Sequence, residues 1–96
     1  MPKAYLIGHI TVTSPTDYAE YVRLDTPIIE AAGGRFLVRG GETEVLEGNF
    51  KERHVVVEFP DMAAARAFYL SPAYQRVAQI RFENADSDML IVEGVA

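Results

Sequence analysis

Residues 33–48, GGRFLVRGGETEVLEG, hold five of the chain's seven glycines. They form either a cradle for phosphate or a piece of architecture. A phosphate loop sets its glycines between a strand and a helix N-terminus, with a Lys-Ser/Thr or a G-x-G-x-x-G spacing. Here Gly33 and Gly34 follow a helical pattern and precede a strand, Arg35–Arg39. Gly40 and Gly41 follow that strand and lead into ETEVLEG, which reads as further extended chain. Glu42, Glu44, Glu47 and, beyond the next turn, Glu52 would repel phosphate. The architectural reading wins. The first pair ends a helix, and the second makes a bulge or tight bend in a hairpin arm.

Working outward, Tyr5–Val12 is rich in β-favouring residues and reads as a strand. SPTD follows, with Ser14 as N-cap, Pro15 at the first helical position and Asp17 three residues after the cap, the pattern of a capping box. Tyr18, Tyr21, Val22, Ile28, Ile29 and Ala32 keep helical spacing, and Pro27 predicts a kink or restart after Thr26. Downstream, Arg53–Phe59 is a strand stopped by Pro60. Asp61 caps the short helix MAAARAFYL, Ser71-Pro72 opens a second helix, PAYQRVAQIRF, and Asp88–Val95 is the last strand. The order predicts an α+β fold: one ferredoxin-like βαββαβ domain over residues 1–96, an antiparallel sheet with helices on one face.

The chain's 96 residues carry a net charge of −5 and no cysteine. Cations are scattered and outnumbered, so nucleic acid is not an expected partner. No apolar run approaches the ~20 residues of a membrane helix. The N-terminus alternates like a strand and makes a poor signal peptide. The expected location is cytoplasmic.

Side chains alternate across each strand. One predicted face collects Leu6, Ile10, Val12, Phe36, Val38, Val55, Val57, Phe59, Leu90 and Val92, and should meet the helices. The other mixes Tyr5, Ile7, Val56, Met89 and Ile91 with His9, Arg39, His54, Glu58 and Glu93. Leaving its five large apolar side chains in water forgoes roughly 7–15 kcal/mol, which rivals the stability of a small domain. A second sheet is therefore expected over this face, and the simplest source is another copy of the chain, giving a homodimer.

Three blocks, GGRFLVRGGETEVLEG, RHVVVEFPDMAAARAFYLSPAYQ and MLIVEG, resemble the "domain of unknown function 1330" family in the same order and over nearly the whole chain. That family is similar to the dimeric α/β-barrel superfamily. The resemblance implies two ferredoxin-like protomers around a barrel with a cleft. Superfamily relatives include cofactor-free monooxygenases, isomerases, haem-handling enzymes and ligand-binding domains, so fold and dimer are implied more sharply than function.

Polar groups on a buried sheet face are costly unless paired. His9 is the candidate general base, and Glu58 the candidate to orient it or act itself. Structural alternatives stand beside both: an interface histidine, and an ion pair of Glu58 with Arg39 or Arg53. Neighbouring first and third strands would bring His9 near His54 or Glu58. Arg39 is the candidate to hold a substrate carboxylate, and Tyr21 and Tyr74 to present hydroxyls at a cleft. His54 and Glu58 stand ~13 Å apart along one strand, so no metal site is expected, and no cofactor either. The readings that remain are a cofactor-independent enzyme acting on a small apolar or aromatic carboxylic compound, a non-catalytic small-molecule-binding or stress-response dimer, and a purely structural protein.

Overall fold

In the computed structural model, which describes residues 2–96, the elements run β1 (Ala4–Val12), α1 (Pro15–Ala31), β2 (Arg35–Arg39), β3 (Arg53–Phe59), α2 (Met62–Leu70), α3 (Pro72–Asn84) and β4 (Ala85–Glu93). The strands form one antiparallel sheet in the order β2-β3-β1-β4, with β1 between β3 and β4. The ferredoxin-like α+β architecture is thus present. Among the described residues no helix is long and apolar enough to cross a membrane.

Local chemistry sets the boundaries. Asp61 and Ser71 cap α2 and α3 by accepting from the backbone N–H groups of Ala64 (2.8 Å) and Tyr74 (3.2 Å). Ser14 does not cap in this way: its hydroxyl donates to Asp17 Oδ2 at 2.9 Å and leaves the first turn uncapped. α1 ends where Gly33 takes φ 88°, a left-handed value open to glycine. Gly34 then lets the turn pack close, since an added Cβ would stand 2.6 Å from Ile29 Cγ2 and 3.0 Å from Phe59 Cε1.

Pro27 does not restart α1, which is one helix through Ala31. The proline removes an N–H, yet Tyr18, Tyr21, Asp25 and Ile29 are all buried along one face and hold both halves to the same sheet. That tertiary packing outweighs the local break.

The core lies between helices and sheet, built from Ala4, Leu6 and Ile10 of β1, Val57 and Phe59 of β3, Tyr18, Tyr21 and Ile29 of α1, and Ala65, Phe68, Tyr74 and Ala78 of α2 and α3. Two face assignments differ from the sequence reading. The register pairs Leu6 with Ile91 and Gly8 with Met89, so Ile91 and Met89 face the helices while Leu90 and Val92 face outward. β4 also begins three residues earlier than expected, at Ala85. In β2 a bulge between Phe36 and Val38 shifts the alternation: Val38 now pairs with Val56 on the open face, and Arg39 pairs with Val55 on the helix face.

Candidate functional site

α1 places Tyr18, Tyr21, Val22, Asp25 and Ile29 on one stripe over the sheet. Asp25 is the exception on that stripe, a carboxylic acid only 6% exposed. No cation lies within 4.0 Å of it to form an ion pair among the described residues. Burial pushes its pKa up to about 6, opposed by the Arg39 guanidinium, by the Tyr21 and Thr26 hydroxyls and by Arg53. The Thr26 hydroxyl donates to the Val22 carbonyl at 2.7 Å, lies 3.4 Å from Asp25 Oδ1, and in turn accepts from Arg39 Nη2. Arg39 also stacks over Phe36, 4.0 Å from the ring centre.

These groups line a small cavity between α1 and the sheet, bounded by Tyr18, Tyr21, Asp25, Arg39, Arg53 and Met89 among others. Its ≈ 20 Å³, measured at water centres, holds about one water. A wider, open depression of ≈ 390 Å³ lies outside it and shares Tyr18, Val22 and Arg53. Arg53 and Tyr18 therefore stand between the inner cavity and solvent, the guanidinium 5.5 Å from the Tyr18 ring centre. Arg53 Nε is buried with no hydrogen-bond partner.

A polar chain continues inward. The Tyr21 and Tyr74 hydroxyls are bonded at 2.7 Å, and Arg81 Nη2 donates to Tyr74 at 3.5 Å. Burial pushes both tyrosines above their ordinary pKa. Arg81 is 2% exposed, bonded through Nη1 to Ser87 Oγ and stacked near Tyr21 and Phe82, with no carboxylate partner among the described residues. The helix side of the sheet thus holds three guanidiniums, Arg39 and Arg53 near Asp25 and Arg81 at the far end of the tyrosine pair. In a chain of net charge −5 this is a local reversal of sign.

The opposite face has a different composition. His9 and His54 are direct cross-strand partners, with Nδ1 atoms 2.8 Å apart, and Phe50 packs on both rings at 5.9 and 6.1 Å. Asp88 lies beside His9 on β4 and is held by Lys51 at 2.7 Å. Glu58 sits at the far end of this face, opposite Tyr5, and bonds Lys3 at 3.1 Å with Arg35 at 3.8 Å. Four residues of extended chain separate it from His54, so it does not orient His9, and its ion-pair partners are neither Arg39 nor Arg53. Among the described residues no three His, Cys, Asp or Glu side chains are grouped to hold a metal.

The five sequence candidates therefore fall on two sides of the sheet. Tyr21 and Arg39 line the cleft under α1, with Tyr74 behind it on the Tyr21 hydroxyl, while His9 and Glu58 lie on the open face. Asp25, Arg53 and Thr26 were not singled out from the sequence. The available signal was an acid four residues after Tyr21 and four before Ile29, on the helix's inward stripe.

A four-stranded antiparallel sheet carrying three helices on one face, with a polar cleft beneath the first, defines a ferredoxin-like α+β protein. The chain belongs to the family described as "Domain of unknown function (DUF1330)", whose model matches residues 3–95. No curated protein matches it. Among solved structures it is similar to RPA0582, a protein of unknown function from Rhodopseudomonas palustris, with 19% identity, 99% of this chain and 84% of that chain covered, and a TM-score of 0.78. It is also similar to SnoaB, a cofactor-independent oxygenase from Streptomyces nogalater, with 14% identity, 100% and 96% covered, and a TM-score of 0.67. A dimeric ferredoxin-like protein of unknown function from Thermobifida fusca has 14% identity, 97% and 92% covered, and a TM-score of 0.65. At these identities the likeness is one of fold.

Proposed function

We propose that the chain forms a homodimer through the open sheet face, and that each protomer takes a small carboxylic compound whose apolar or aromatic body lies in the open depression beside Tyr18, Val22 and Arg53 and whose polar end reaches the cleft under α1. There Asp25 exchanges a proton with the compound, and no cofactor takes part. The observation that carries this reading is Asp25 itself: a buried carboxyl without an ion pair, with two guanidiniums nearby and a pKa raised to about 6. A group poised there serves as acid or base near neutral pH. Arg39 and Arg53 hold the ligand's carboxylate, and the Tyr21–Tyr74 pair orients the Asp25 side of the cleft. In this reading His9, His54 and Glu58 belong to the contact between protomers. SnoaB, which shares the fold, is a cofactor-independent oxygenase, and this supports a reaction without a cofactor here.

The inner cavity has room for about one water, so a ligand held in the outer depression stays clear of Asp25, which favours a second reading: a ligand-binding dimer that converts nothing. One experiment separates the two. Aromatic and branched aliphatic carboxylic acids are screened by NMR shift perturbation, and the hits are followed over time for conversion. The enzyme reading expects shifts at Asp25 and Arg53, turnover by the native chain, and a drop of about 10²–10⁴-fold in Asp25→Asn with binding retained. Saturable binding without conversion favours the second reading, and shifts confined to the open face overturn both.

A further inference from the structure

We infer that the arm between β2 and β3, residues 40–52, reaches across the dimer and seats Leu46 in a groove of the second copy. The inference rests on the sheet-to-sheet dimer proposed above. The arm has no helix or strand of its own, and its apolar residues are open to solvent, Leu46 at 84%, Phe50 at 56% and Val45 at 51%. A leucine so exposed in the middle of a thirteen-residue arm has no cover on its own protomer.

The fitting groove lies at the other edge of the sheet. It runs between β4 and α2, is lined by Leu6, Tyr69, Leu70, Met89 and Ile91, and has a volume of ≈ 360 Å³. Leu70 on its rim is 64% exposed. Arg66, also on the rim, has no ion-pair partner among the described residues, and neither do Glu44 and Glu47, which flank Leu46 in the arm. Apolar side chain meets apolar groove, and acid meets base.

Topology explains why the partner's groove is the one reached. The sheet order β2-β3-β1-β4 puts the arm at one edge and the groove at the opposite edge of the same protomer. When two such sheets stack about a two-fold axis running along the strands, the β2 edge of one lies over the β4 edge of the other. Each arm then stands beside the second copy's groove. The groove is also continuous with the open face, because Leu90 borders both.

The chain has no cysteine, so crosslinking is clean. The double variant Leu46→Cys, Leu70→Cys changes two exposed positions and is oxidised at micromolar concentration, with Leu46→Cys alone as the control for random collision. The expected result is a covalent dimer in the double variant on a non-reducing gel, and none in the control. A light-scattering mass of a dimer with a disulfide only within each chain, or with none, overturns the crossing arm while the dimer stands. A monomeric mass for the unmodified chain overturns the dimer reading and this inference together. Separately, Leu46→Asp is expected to raise the dimer's dissociation constant about a hundredfold, since each of two arms loses an apolar contact, and an unchanged constant overturns the seating of Leu46.

Discussion

The two faces of the sheet present opposite mismatches with their surroundings. Under α1, polar and charged groups are buried with too few partners among the described residues: Asp25 without a cation in contact, Arg81 without a carboxylate, Arg53 Nε without an acceptor. On the far face, apolar groups lie open with no cover: Val38, Leu90 and Val92 at 42–50% exposure, with Phe50 beside them. A buried, underpaired polar group is answered by a ligand or a proton. An uncovered apolar sheet is answered by another protein surface. In the proposed reading, chemistry belongs to one side and assembly to the other.

The largest expected effect breaks the open side. Val92→Asp puts a charge on the open face of the edge strand β4, beside Tyr5, twice per dimer, at a position the protomer leaves accessible. The dimer should weaken by more than about a hundredfold while the protomer stays folded, as read by light scattering beside circular dichroism. An intact dimer would place the contact elsewhere.

Next in size is the cost of the buried acid. Asp25 has an ordinary pKa of 3.8 when unfolded and about 6 when folded. Between those values the folded state keeps a proton that the unfolded state releases, so stability falls as pH rises through this window and stays lower above it. The gap corresponds to about 3 kcal/mol. Asp25→Asn should therefore stabilise the protein by up to about 3 kcal/mol at pH 7 and by little below about pH 4, measured by denaturant unfolding across pH. A variant less stable than the native chain at pH 7 would show that the ionised carboxyl is structurally satisfied.

The smallest effect separates the ends of the open face. Glu58 bonds two largely exposed cations, so Glu58→Gln should change stability by less than about 1 kcal/mol and leave ligand binding unchanged. A large loss of binding would bring Glu58 back into the site.

How far this division could be read from sequence depends on the strand. The element order was legible because caps and prolines punctuate it: Asp61, Ser71-Pro72 and the Gly33-Gly34 stop. The adjacency of the first and third strands put His9 near His54 or Glu58, and the register selects His54. β4 was not legible in phase, because Met89-Leu90-Ile91-Val92 is apolar at every position and alternation carries no information there. Arg39 was assigned to the wrong face because a one-residue bulge is invisible in a five-residue strand. Asp25 escaped because a periodicity search weights apolar positions, and an acid among them reads as a gap rather than as a site.

The central claim is that Asp25 is the reactive group of the cleft under α1, and its protonation can be followed directly. The side-chain carboxyl carbon of Asp25 is titrated by NMR in the native chain, with Asp25→Asn to assign the resonance. The account predicts a midpoint at about 6. A midpoint near the ordinary value of about 3.9 would mean that water or an ion pair satisfies the carboxylate, and would contradict the placement of the chemistry under α1.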